Sequence, residues 1–178
     1  MAFRGCRSPG ADSMKTMRNL LPLALLGLAA CGGSDPESLV REGAAALGKG
    51  DAGSALSRFD DALDGLPSTD PIYLRAALGR CEALARTDGA LAREAFLELA
   101  AKLPDKVRED DYGLVCSWLI QGGFTLDAID VMKAGDTRFP NSAQMMTTLD
   151  AVIAAANRAD TPDALKKLET MGYVGGGQ

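Results

Sequence analysis

The sequence predicts an all-α chain of eight helices paired into four hairpins, and three observations lead there. No stretch alternates polar and apolar residues with period two, so strands have no signature. Breaks recur at Gly48–Asp51, Thr87–Gly89, Gly122–Gly123 and Arg158–Thr161, each four to seven residues before a key alanine. One set of small, bulky and proline positions returns every 36 or 37 residues. The size fits one domain, since 178 residues fall within the usual span of about 100–200. With 47% hydrophobic but only 5% aromatic residues, the core must be packed by alanine and leucine.

Taken in order, the helices are expected at 36–48, 52–66, 71–86, 89–103, 106–121, 125–138, 142–158 and 162–171. Asp35-Pro36, Asp70-Pro71 and Thr161-Pro162 each place a capping side chain before a proline at the first helical position; Asn141-Ser142 is a weaker cap. Pro67, Pro104 and Pro140 stop the second helix of their units, because proline lacks an N–H and pushes the preceding residue out of the α region. The final helix runs through Leu165 and Leu168 and closes at Gly172 in a left-handed cap, with Tyr173 or Val174 folding back on the last turn. Residues 172–178 are expected to form a flexible tail.

The repeat is regular at the level of single residues. Ala55, Phe59, Ala62 and Pro67 are followed by Ala92, Phe96, Leu99 and Pro104, then by Ala128, Met132, Gly135 and Pro140. A fourth set, Ala164, Leu168 and Met171, lacks the proline. The small residue lets the second helix of a hairpin approach the first, and the bulky one fills the space beside that contact. In the second unit either Tyr73 or Leu78-Gly79 can set the register of the first helix. This spacing resembles the tetratricopeptide repeat, with Leu39 and Gly43, and Tyr112, Val115, Cys116 and Leu119, agreeing upstream. The resemblance implies a TPR-like α-solenoid over residues 36–171, because a lone helical hairpin cannot bury its apolar face.

The amino-terminal part has a different character. From Met14, a basic start at Lys15 and Arg18 leads into the apolar stretch Leu20–Ala30, which is too short for a span of about twenty residues and reads as a signal peptide over 14–30. It ends Leu28-Ala29-Ala30-Cys31, which resembles a bacterial lipobox; Cys31 would carry the lipid and become the mature amino terminus. An ordinary cleavage site before an unrelated cysteine is the alternative. Residues 1–13 read as a start-site artefact or a cleaved extension. Residues 31–35 form a tether of about 15 Å that keeps the domain close to the bilayer. Gly32 rather than aspartate after the cysteine favours, by the same resemblance, an outer-membrane lipoprotein facing the periplasm.

Charge and composition exclude several functions. Without Arg4, Arg7, Lys15, Arg18 and Asp12 the chain from Cys31 carries 15 basic and 23 acidic residues, a net charge of −8 that repels nucleic acid and anionic headgroups. Histidine is absent, which removes Ser-His-Asp and Cys-His catalysis and histidine metal sites. No phosphate loop, G-x-S-x-G or C-x-x-C is present. The acidic clusters Asp60, Asp61, Asp64 and Glu109, Asp110, Asp111 lack calcium-loop spacing and read as a solvated face and a charged helix start. No cofactor, metal or small-molecule substrate is expected.

Two sets of residues remain as candidates. Cys81 and Cys116 lie 35 residues apart, about one repeat, and stand either as a disulfide in an oxidising compartment or as two buried thiols. By the family register, Leu114, Ser117, Ile120 and Gln121 face the concave surface, whereas Trp118 falls on the packing side or the rim. The expected role is non-catalytic: a membrane-anchored module that binds a partner protein in its concave groove and assists assembly of an outer-membrane complex. The alternative is a structural accessory subunit that uses its other faces, with an enzyme third.

Overall fold

The computed structural model describes residues 35–158 and 161–175. The signal peptide, Cys31, the extension before Met14 and the last three residues lie outside them. Among the described residues the fold is all-helical: α1 (Pro36–Gly48), α2 (Ala52–Leu63), α3 (Pro71–Ala85), α4 (Gly89–Lys102), α5 (Glu109–Gln121), α6 (Thr125–Arg138), α7 (Ala143–Arg158) and α8 (Pro162–Thr170).

The starts follow side-chain chemistry. Asp35 accepts from the Ser38 N–H at 3.2 Å and Asp70 from the Ile72 N–H at 2.7 Å, each before a proline in the first turn. Asp51 and Asp88, which the sequence marks only as breaks, cap α2 and α4 by accepting from Ser54 and Leu91. Ser142, not Asn141, caps α7, through the Met145 N–H. Asn141 takes a left-handed φ of 64° to turn the chain into it. Thr161 departs from its expected role: its hydroxyl donates back to the Ala156 carbonyl, and α8 has no side-chain cap.

Two helix bounds differ from the expectation by about a turn. Helix α2 ends at Leu63 instead of 66, because Asp64 is extended, Gly65 is left-handed at φ 74° and Leu66 precedes a proline. Helix α5 begins at Glu109 instead of 106, since Arg108 is extended and its N–H donates to the Asp111 carboxylate at 2.8 Å. The charged start Glu109, Asp110, Asp111 thus lies in the first turn, where the helix dipole favours it.

The repeating positions are the core. Ala55, Ala92, Ala128 and Ala164 are fully buried, and Phe59, Phe96, Met132 and Leu168 are buried beside them. Each hairpin packs on itself, and the odd-numbered helices touch in succession, α1 on α3, α3 on α5, α5 on α7. On the even side α4 packs on α6 and α6 on α8, but the backbone of α2 stays apart from that of α4. The core is correspondingly double. One cluster joins α1 and α2 to Ala76 and Ala83 of α3; the other runs from Ala77, Cys81 and Leu84 of α3 through to Leu168. Helix α3 therefore presents an apolar face to each cluster. Its Gly79 settles the register question, since an added Cβ there would lie 2.5 Å from the Phe59 ring, while Tyr73 sits on the side toward α4 beneath the Lys102 ammonium.

The carboxyl end is closed as the sequence suggests, with one addition. Gly172 adopts φ 81° and the Tyr173 N–H reaches the Leu168 carbonyl at 3.0 Å. The Tyr173 hydroxyl goes further and donates to Asp136 of α6 at 2.7 Å. Burial first, then the bond to and charge of Asp136, push this phenol up to about 12.

Candidate functional site

The face made by the odd-numbered helices carries two adjoining grooves, one strongly apolar and one of mixed lining. The first, about 440 Å³, lies across α1, α3 and α5. Val40, Leu74, Leu78, Leu114 and Trp118 give it an apolar lining, and Arg75 and Glu82 are its charged members. Both are satisfied locally, Arg75 by Glu37 at 3.5 Å and Glu82 by Arg86 at 2.7 Å. Arg86 also donates to the Leu47 carbonyl at 2.8 Å, at the end of α1 where a cation is favoured.

The second groove, about 350 Å³, lies between α5 and α7 and is lined by Ser117, Ile120, Gln121, Gln144, Thr147 and Arg158 among others. Gly113 makes room for it, because a Cβ there would lie 2.9 Å from the Gln144 amide and 3.1 Å from the Thr148 hydroxyl. Gln121 donates to Ser117 at 3.0 Å and Thr147 donates to the Ala143 carbonyl at 3.0 Å, so amides and hydroxyls alternate on this wall with the apolar Ile120, Ala151 and Ala154.

All four residues singled out for the groove line these cavities, but the structure divides them. Leu114, 43% exposed, belongs to the apolar groove, and Ser117, Ile120 and Gln121 belong to the mixed one. Trp118 is half-buried and packs against the larger core cluster, as the packing-side or rim reading expects, and from there it also lines the apolar groove. The i, i+4 spacing from Leu114 places both on one stripe of α5. Sequence reading also missed α1 and α3 as groove walls, since Val40 and Leu78 carry no mark that separates groove from core.

Cys81 and Cys116 are free thiols, not bridged, and both are buried. Cys116 donates weakly to the Ala128 carbonyl at 3.4 Å. Burial pushes both thiols up to about 12, so they act as small apolar groups without nucleophilic character. The acidic residues of α2 are engaged in ion pairs, Asp60 with Arg80 at 2.6 Å and Asp61 with Arg58 at 4.0 Å. Glu109 accepts from the Ser142 hydroxyl. Among the described residues no His, Cys, Asp or Glu grouping could hold a metal ion, and no helix is long and apolar enough to cross a membrane.

Comparison with known proteins leaves this geometry to speak alone. No protein-family model matches the chain, and neither a curated protein nor a solved structure shows significant similarity to it.

Proposed function

We propose that this chain is a bacterial lipoprotein of tetratricopeptide-like build whose stacked hairpins form a solenoid that captures a partner protein without catalysis. The supporting observation is the apolar groove across α1, α3 and α5, with Leu114 and Trp118 partly open to solvent on its wall. An apolar recess of this size invites a bulky side chain or the apolar face of a helix, and the adjoining amides and hydroxyls suit a peptide backbone. The repeat spacing and the buried Ala-Phe positions support the solenoid reading; the lipobox-like Leu28–Cys31 supports the anchor.

In this reading the lipid holds the module at the outer membrane, facing the periplasm, and raises its local concentration near envelope partners. Assistance to assembly of an outer-membrane complex is the role that fits such an address. Affinity capture from detergent-solubilised envelope tests the binding. Wild type should retain an envelope protein that both Leu114→Asp and Ile120→Asp lose while keeping wild-type helicity; retention by both variants would exclude the groove. Labelling with radioactive palmitate tests the anchor, and incorporation that persists in Cys31→Ala would exclude it. The accessory-subunit reading calls for an apolar patch on the last helix, and the strongly exposed large apolar side chains among the described residues, Leu91, Leu114, Leu126 and Met146, lie elsewhere.

A further inference from the structure

We propose that the α1–α2 hairpin is a hinged wall of the apolar groove, able to swing against α3 and so to widen or narrow the recess. The regulatory meaning rests on the groove being a binding site; the movement itself is a property of the unliganded chain. Four features converge on the joint between this hairpin and α3.

The core is interrupted there. The first cluster ends on Ala76 and Ala83, the second begins on Ala77 and Cys81, and only the partly buried Leu56 and Leu63 pack against both. The joint is also smooth. Apart from the half-buried Ile72 at its start, the α3 face toward the hairpin consists of Ala76, Gly79 and Ala83, which offer few ridges to interlock, and it receives the flat ring of Phe59. Packed helices joined through small side chains slide or rotate more readily than interdigitated ones.

On the even-numbered side α2 packs on α3, but its backbone stays apart from that of α4. A recess of about 390 Å³ lies between them, lined by Asp60, Leu63, Tyr73, Arg80 and Lys102. In the later hairpins the corresponding row is continuous, and it is pinned by Arg93 to Asp127 at 2.8 Å and by Lys167 to Asp130 at 2.7 Å. Lastly, the ion pairs across the joint are solvated, and the partly buried bond from Arg86 to the Leu47 carbonyl at 2.8 Å ties only the far end of α1. Glu37–Arg75 and Asp60–Arg80 have side chains between 36% and 56% exposed, and such pairs hold weakly and yield to salt.

The groove straddles this joint. Val40, Ala44 and Leu47 come from the hairpin; Leu74, Leu78, Leu114 and Trp118 come from beyond it. A rotation about Phe59 therefore changes the width of the recess without breaking a helix.

Trp118 is the sole tryptophan of the chain and lines the recess, so it reports the movement directly. The test is quenching of its fluorescence by acrylamide, a neutral quencher, in the full unliganded protein. In Glu37→Ala/Asp60→Ala the quenching constant should rise about twofold at low salt with helical circular dichroism unchanged, while Arg93→Ala, which cuts a tie of the later row, should leave it at the wild-type value. Wild type in about 1 M salt should move toward the double variant, an arm that needs no substitution. Quenching of the double variant and of wild type in high salt equal to wild type at low salt would overturn the hinge. An equal rise in Arg93→Ala would also overturn it, by showing general loosening. Because no partner is present, failure here leaves the capture experiment standing, and loss of capture leaves this result standing.

Discussion

Two joints in this molecule use the same repeat position in opposite ways. At the first, Phe59 of α2 lies on glycine from both sides, Gly43 of α1 and Gly79 of α3. At the later one, Met132 is fully buried in a cluster where Phe96 stacks edge-on against Tyr112 at 4.8 Å and Tyr112 against Phe139 at 5.8 Å. A ring on glycine gives close approach with little interlock, whereas long and aromatic side chains from several helices key one another in place. Identical spacing in the sequence therefore does not imply identical mechanical coupling, since the residue facing the bulky side chain decides how much the joint resists.

The largest effect should come from emptying the two joints. Phe59→Ala is expected to cost about 3–5 kcal/mol and Met132→Ala about 2–5 kcal/mol. The losses should differ in kind: Phe59→Ala releases α1 and α2 in a separate early phase, while Met132→Ala shifts the main transition. Urea unfolding followed by circular dichroism, with hydrogen exchange resolved by helix, distinguishes them. A single shared transition in both variants would break the comparison.

The glycines give a smaller and sharper contrast. A Cβ at Gly79 would lie 2.5 Å from the Phe59 ring, and one at Gly135 would lie 2.6 Å from the Met145 methyl. The Phe59 ring cannot move aside, whereas at Gly135 the nearest atoms belong to a methionine with rotatable bonds to spare and the Tyr112 ring, at 2.9 Å, is the lesser clash. Gly79→Ala should therefore destabilise by about 1–3 kcal/mol, and Gly135→Ala should cost less, as repacking and better helix propensity offset the clash. Thermal melts of the two variants decide the order.

The buried thiols belong to the second core cluster alone, so their titration probes it selectively. Folded pKa values near 12 lie above the reference of 9.0, so the folded chain keeps two protons that the unfolded chain releases. Stability from the neutral thiols is complete below pH 9 and is lost as pH rises toward 12. The melting temperature should fall over that window, and Cys116→Ala should show a shallower fall. The smallest effect is expected for Arg93→Ala, which cuts the partly exposed ties to Asp127 and Asp130 and should cost about 1 kcal/mol. A double-mutant cycle with Asp127→Ala measures it.

Much of the helical layout was legible because it is encoded locally. Asp35-Pro36 and Asp70-Pro71 announce helix starts through hydrogen bonds within three residues, and Gly172 announces a stop through its own φ. The misread ends of α2 and the start of α5 turned on Gly65 and Arg108, where competing local conformations differ little in energy. The groove was half legible. The register of the tetratricopeptide resemblance puts Leu114, Ser117, Ile120 and Gln121 on one side of α5, but their division between an apolar and a mixed recess depends on Leu74 and Leu78 from α3 and Gln144 and Thr147 from α7.

The sequence by itself determined where most of the helices begin, which residues are buried at each repeat and which chemistries histidine-free composition excludes, because caps, proline and periodic burial act over a few residues. Only the tertiary structure decided that α3 serves two cores, that α2 stands apart from α4 and that Trp118 faces the groove. Those outcomes depend on which side chains from distant segments meet, and small differences in packing volume between Gly79, Phe59 and Met132 settle them.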